Sequence, residues 1–184
     1  MVTSRSFSRC RKPVADQRGL AAVEFALILP IMMLLLFGTV ELGDALTIND
    51  KVNFVTSTLG DLVTQSKSIT DTDMANIFDA AASIITPYPV SNLKMIVSGV
   101  NIDSSSKATV AWSYARNGTA LVNGSSVSLP SALDLPSTFL VVSEVHYSFT
   151  PTVGYVMAGT YDLTSKFYLS PRVSAKVCQN ASSC

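Results

Sequence analysis

The chain has 184 residues, a length that suits one modest domain together with a membrane anchor. Its residues are 48% hydrophobic and only 14% charged, whereas soluble domains usually carry about 25% charged residues. The formal net charge is zero, so the chain as a whole lacks the basic character that is typical of nucleic-acid-binding proteins.

Residues 1–19 form a basic leader. It contains one acidic residue, Asp16, and five cationic residues: Arg5, Arg9, Arg11, Lys12 and Arg18. This stretch is too short, and too close to the apolar run that follows, to act as a nucleic-acid arm. Positive charge beside an apolar segment is typical of the cytoplasmic flank of a membrane span. We therefore predict a cytoplasmic leader.

Residues 20–42 form an apolar run that predicts a transmembrane helix. A helix over this run would be about 34 Å long, enough to cross a hydrocarbon core of about 30 Å. Its large apolar side chains favour insertion by about 4 to 8 kcal/mol. Glu24, the only charge between residues 20 and 40, opposes insertion by at most about 3 kcal/mol. Pro30 is tolerated in such a helix.

The start of this run carries a specific resemblance. Residues 18–25 read RGLAAVEF, so a basic leader ends in Gly19, and Glu24 and Phe25 follow at a short distance. This resembles the processing site of type IV prepilins. The resemblance implies cleavage by a prepilin peptidase between Gly19 and Leu20, which puts Glu24 at the fifth mature position. The Glu24 carboxylate would then pair with the Leu20 amine of a neighbouring subunit and set the register during assembly.

Within that superfamily, the chain is most similar to TadE-like proteins of the tight-adherence (Flp) pilus system. Three stretches carry the similarity: residues 19–46, with Pro30 and the GTVELG exit, residues 141–151, which end in Thr-Pro, and residues 169–178. The similarity implies a minor pilin or pseudopilin that supports pilus assembly. It implies the inner membrane as location, with residues 43–184 as a periplasmic domain. The implied partners are the peptidase, other pilins and inner-membrane assembly proteins, with no nucleic acid and no small-molecule substrate.

The helical pattern continues beyond the membrane. Val52, Val55, Leu59 and Leu62 recur every three or four residues between polar residues. We predict one long helix over residues 20–65, which is first membrane-embedded and then amphipathic. The alternative is a break near Gly43 or Gly60.

A second helix is predicted to start with a capping box formed by Thr70 and Asp73. Its apolar face consists of Met74, Ile77, Phe78, Ala81, Ile84 and Ile85. The helix should stop at Thr86-Pro87, because the residue before a proline disfavours helical geometry.

The pattern then changes to the alternation of β-strands. Ala108, Val110, Trp112 and Tyr114 are predicted to share one face of a strand, and residues 139–147 alternate in the same way. Asn117-Gly118 and Asn123-Gly124 predict turns. Residues 161–177 should supply one or two more strands. Helices first and strands later predict an α+β fold, in which a mainly antiparallel sheet packs on the long helix.

Nothing in the sequence indicates catalysis, a cofactor or a metal. The chain has one histidine, His146, in a predicted strand, and a single histidine makes a His-based zinc site implausible. Asp71 and Asp73 stand at a helix start, where capping explains them better than a paired-carboxylate site. We expect that the protein is not an enzyme.

Two of the three cysteines lie at the C-terminal end. In an oxidising compartment, Cys178 and Cys184 can form a disulfide that closes a small loop, whereas Cys10 belongs to the leader. Closing so short a loop would stabilise the fold by about 2 kcal/mol or less. Two free thiols in a disordered tail are the alternative.

Two other functions are compatible with this sequence. A minor pseudopilin of a type II secretion-like machine would be cut at the same site. A signal-anchored periplasmic binding domain would instead be cut near Gly43-Asp44-Ala45, whose small residues resemble a signal peptidase site. The second alternative leaves Gly19 and Glu24 without an explanation.

Overall fold

A computed structural model describes residues 18–154 and 156–180. The helices are α1 (Arg18–Thr64) and α2 (Asp71–Ser83), with short 3-10 turns at Val90–Asn92 and Ser131–Leu133. The strands are β1 (Ser68–Ile69), β2 (Leu93–Ile102), β3 (Ala108–Arg116), β4 (Thr138–Phe149), β5 (Tyr161–Leu169) and β6 (Cys178–Gln179).

The strands form one antiparallel sheet and one small parallel pair. The sheet has the order β3-β2-β4-β5, and β1 pairs with β6. The long helix α1 lies across β4 and β5. The predicted α+β fold, with a mainly antiparallel sheet on a long helix, is confirmed.

Helix α1 is continuous over 47 residues, with Pro30 inside it. It runs without interruption through Gly43 and Gly60, so the alternative of a break at either glycine is wrong. Gly60 has a packing role instead. A Cβ there would lie 2.5 Å from Leu169 Cδ1 and 2.9 Å from Ser143 Oγ, so the missing side chain lets the helix approach β4 and β5 closely.

A buried hydrogen bond adds to this contact. Ser143 Oγ donates to the carbonyl oxygen of Thr56 at 2.8 Å, and Ser143 is fully buried. The polar group in the middle of β4 is therefore paired, as burial requires. The side chains that α1 contributes to the core are Ala45, Ile48, Val52, Val55, Leu59 and Val63.

Helix α2 begins with the predicted capping box. Thr70 Oγ1 accepts the Asp73 N–H, and the Asp73 carboxylate accepts the Thr70 N–H. The helix ends at Ser83, earlier than predicted, and hydrogen-bonded turns follow it as far as Thr86. Lys51 of α1 donates to the carbonyl oxygens of Ile84 and Thr86 at 2.9 and 2.8 Å, which satisfies acceptors at this helix end.

The central strand β2 was not predicted. It pairs with β3 on one side and β4 on the other, and it carries apolar residues on both faces. Leu93, Met95 and Val97 belong to the core under the helices, whereas Val100 and Ile102 belong to a second cluster. A strand buried on both faces lacks the apolar–polar alternation by which half-buried strands are recognised.

The predicted common face of β3 is wrong. Gly99 pairs with Trp112 and Val100 pairs with Val110, so Ala111 is an extra residue in β3. Such a bulge shifts the side-chain pattern by one position. Trp112 therefore lies in the core under the helices, while Ala108 lies in the second cluster.

The C-terminal segment returns across the helical side of the sheet. Trp112 Nε1 donates to the carbonyl oxygen of Val177 at 2.7 Å, and the Cys178 N–H donates to the carbonyl oxygen of Lys67. Cys178 is buried. Its predicted partner Cys184 lies outside the described residues, and so does Cys10, so the disulfide stays a prediction.

Candidate membrane and assembly site

The N-terminal half of α1 is apolar and lies outside the core. Among the described residues, α1 is the one helix whose length and composition would allow it to cross a membrane. Exposed fractions of its apolar side chains reach 71% at Leu27, against 0% at Val52, about three-quarters of the way along the helix. So large an exposed apolar surface would be unfavourable in water, and it fits a lipid environment.

The predicted cleavage site lies at the very start of α1. Gly19 and Leu20 are both exposed, and no atom outside the local helix backbone lies within 4 Å of an ideal Cβ on Gly19. Packing therefore does not require glycine here, in contrast to Gly60. The leader up to residue 17 lies outside the described residues, so only its last residues can be placed.

Glu24 and Phe25 stand one turn further along. Both side chains are exposed, Phe25 to 59%. Within residues 19–154 and 156–180, no basic side chain forms an ion pair with Glu24. A carboxylate on a lipid-facing helix is unfavourable unless it is paired or reaches the headgroups. The arrangement leaves Glu24 available to a partner outside the domain.

A second carboxylate in the predicted span, Glu41, was missed. It is 3% exposed, although its neighbours Val40 and Leu42 are each 54% exposed. Glu41 Oε1 accepts the Gly154 N–H at 2.6 Å, and Oε2 accepts the Met157 N–H at 3.0 Å. The many apolar side chains of residues 20–42 made this carboxylate easy to overlook. The sequence did contain a signal, namely the position of this carboxylate inside an apolar span. A carboxylate that is removed from water needs hydrogen-bond donors.

These two bonds hold the loop between β4 and β5 against the helix. Hydrogen bonds to a charged group contribute about 1.5 to 3 kcal/mol each. The two bonds to Glu41 therefore contribute substantially to the stability of the contact between loop and helix. The loop also packs beside Gly38, where an ideal Cβ would lie 3.2 Å from Val156 Cγ2. The junction between anchor and domain is therefore a defined contact.

His146 lies on the sheet face opposite the helices, between two carboxylates. Its Nε2 is 3.2 Å from Glu144 Oε1, and its Nδ1 is 3.1 Å from Asp162 Oδ2. Lys166 Nζ is 3.0 Å from the other oxygen of Glu144. Burial raises the pKa of Glu144, but the hydrogen bonds and charges of Lys166 and His146 outweigh it, and the pKa lies below its ordinary value.

The acidic residues at the start of α2 have structural partners. Asp73 closes the capping box, and the hydrogen bonds from Thr70 lower its pKa. Asp71 accepts a hydrogen bond from the Tyr114 hydroxyl at 2.7 Å. In the part of the chain that the structure describes, no group of three or more His, Cys, Asp or Glu side chains is arranged to hold a metal ion.

Comparison with known proteins finds a similarity in the N-terminal part of the chain. A model of the TadE-like protein family matches residues 19–57, from the predicted cleavage site into the buried part of α1. No curated protein and no solved structure matches the chain. Residues 19–57 are therefore similar to the TadE-like family, which confirms the predicted resemblance for the first of the three stretches that carried it.

Proposed function

We propose that the protein is a minor pilin-like protein (a pseudopilin) that supports assembly of tight-adherence pili. It is anchored in the bacterial inner membrane by residues 20–42, with a cytoplasmic N-terminus and a periplasmic domain over residues 43–184. It acts by binding other pilins and inner-membrane assembly proteins, not as an enzyme. The TadE-like match over residues 19–57 carries this proposal.

Processing is the first step of the proposed function. A prepilin peptidase cuts between Gly19 and Leu20, which leaves a new amine on Leu20 at the membrane face. Gly19 has open space around it and no packing role, which agrees with recognition by another protein as the reason for glycine there. The competing cut near Gly43-Asp44-Ala45 falls inside a continuous helix, and Ala45 is part of the core.

The N-terminus of the mature protein, determined by Edman degradation or mass spectrometry, tests this step. A start at Leu20 is expected, and Gly19→Leu should leave the full-length chain uncut. Gly43→Leu is a matched control, because Gly43 also has open space around it. A mature chain that starts after residue 43, or normal processing of Gly19→Leu, would contradict the proposal. Neighbouring genes would distinguish a type II secretion-like machine, in which the same cut occurs.

Register is the second step. The exposed Glu24 pairs with the Leu20 amine of a neighbouring subunit, which removes an unpaired charge from the membrane and fixes the offset between helices. We expect Glu24→Ala to insert normally and to lose nearly all assembly. Leu27→Ala, on the same exposed surface, is the control. Wild-type numbers of pili in Glu24→Ala cells, counted by electron microscopy, would rule out the register role.

A further inference from the structure

The loop between β4 and β5 (residues 150–160) has an unusual composition and position. Its sequence, TPTVGYVMAGT, contains no charged residue. Two of its valines are partly exposed, Val153 to 44% and Val156 to 48%. A surface loop of a periplasmic domain is usually polar, so exposed apolar side chains here need a reason.

The position of the loop supplies that reason. Val156 packs beside Gly38 of α1, four residues before the end of the apolar run at Leu42. At the helical rise of 1.5 Å per residue, this contact is about 6 Å inside the run. Protein segments that lie in a membrane interface bury their apolar side about 5 to 10 Å into the headgroup and acyl boundary. The two depths agree.

Glu41 explains how the loop can stay at that depth. Both of its carboxylate oxygens accept loop N–H groups, from Gly154 and Met157. The bonds pair the helix carboxylate and at the same time satisfy two backbone N–H donors of the loop. A carboxylate and a backbone N–H group are each unfavourable in lipid without a hydrogen-bond partner. The uncharged loop and the carboxylate are therefore complementary at a membrane surface.

We propose that this loop, through residues 150–154 and 156–160, is a second membrane contact, with Val153 and Val156 inserted among the lipid headgroups and upper acyl chains. The partner is the lipid bilayer itself. The contact adds to the single transmembrane anchor and holds the periplasmic domain in one orientation on the membrane. It rests on the proposed function in one respect, namely that α1 spans a bilayer.

Depth-dependent quenching of tryptophan in the full chain tests the proposal. The protein is reconstituted into vesicles of phosphatidylglycerol and phosphatidylcholine, with bromine on the phosphatidylcholine acyl chains near the headgroup. Val153→Trp and Val156→Trp are two independent reporters. The native Trp112 is buried in the core and provides an unquenched baseline. Near-UV circular dichroism checks that each variant is folded.

Val173→Trp is the matched control. Val173 is 52% exposed, close to the value for Val156, but it follows Arg172, whose N–H donates to Thr64 at the far end of α1. Thr64 lies about 33 Å beyond Leu42 along the helix, well outside the membrane. The control therefore reports quenching that is not caused by insertion of the loop.

We expect bromine to remove about half of the added emission at both Val153 and Val156, as for side chains at interfacial depth, and almost none at Val173. Emission that is unchanged at both loop positions would overturn the proposal if the vesicles still carry the protein on flotation. Quenching at Val156 alone would overturn it too, because contact with the helix would explain that result. Protein that fails to float would instead overturn the membrane anchor of the proposed function.

Discussion

The two halves of α1 differ in sequence pattern and in surroundings: the first is an almost continuous apolar run, whereas the second alternates apolar with polar residues. In the first half, Leu27 and Ile31 are 71% and 62% exposed, whereas Val52 and Leu59 in the second half are fully buried against the sheet. One helix therefore carries an exposed apolar surface first and a buried core face after it. The exposed first half fits a lipid environment, and the second half packs on β4 and β5 of its own chain.

The glycines of α1 show the same contrast. Gly60 is required by a close approach to Leu169 and Ser143, whereas Gly19 and Gly43 have open space around them. A glycine with a packing role reports the fold. A glycine without one, at the start of a membrane helix, points to a role outside the folded domain, which is why processing after Gly19 is part of the proposed function.

Truncation of one leucine in each half should give the largest difference. Leu59→Ala removes a fully buried side chain, and we expect a loss of about 3 kcal/mol in the free energy of unfolding of the domain. Leu27→Ala should change it by less than about 0.5 kcal/mol, since the side chain is exposed. Urea unfolding in detergent micelles, followed by Trp112 fluorescence, measures both. Equal losses would mean that the two halves share one core.

Substitution of the glycines gives a smaller effect. Gly60→Ala should destabilise the domain by about 1 kcal/mol, because overpacking against Ser143 exceeds the gain in helix propensity. Gly43→Ala meets no neighbour, so its stability should equal or slightly exceed that of the wild type. The same urea titration compares them. A stabilised Gly60→Ala variant would show that Leu169 moves aside and that the helix contact is loose.

The smallest effect is the pH dependence of stability that is expected from Glu144, on the sheet face opposite the helices. Because the pKa of Glu144 is lowered in the folded state, its contribution to stability is present above its ordinary pKa, near 4.5, and is lost as pH falls through the lowered value. For a partly exposed pair this amounts to at most about 1 kcal/mol. Unfolding measured between pH 6 and 3 should show it, with Lys166→Met flattening the profile.

Asp73 provides the internal control for that experiment. Its pKa is also lowered, by hydrogen bonds from Thr70, so wild type and Lys166→Met share this acid-sensitive contribution. Only the difference between the two profiles belongs to Glu144. Identical profiles would show that Lys166 has no part in holding the pKa of Glu144 down.

Local chemistry made part of the fold predictable. The length and apolarity of residues 20–42 and the spacing of Val52, Val55 and Leu59 predicted α1, because a helix depends on contacts between near neighbours. Thr70 and Asp73 predicted the start of α2 for the same reason. Strand β2 was not recognisable, since its two faces are both covered by segments that are distant in sequence.

The candidate site divides in the same way. The motif from Gly19 to Phe25 is contiguous, so the sequence alone was sufficient to single it out, and the TadE-like match begins at the same residue. The partners of Glu41 lie more than a hundred residues away in the chain, at Gly154 and Met157. No local pattern connects a helix carboxylate with loop N–H groups across that distance.

The sequence by itself determined a long apolar helix, its junction with an amphipathic continuation, the helix cap at Thr70 and an α+β order of elements. Each depends on residues within a few positions of one another. Only the tertiary structure decided which glycine packs, where Ala111 shifts the faces of β3, and that Glu41 holds an uncharged loop at the end of the membrane span. These features arise from contacts between segments that the folded chain brings together, and no local spacing in the sequence encodes them.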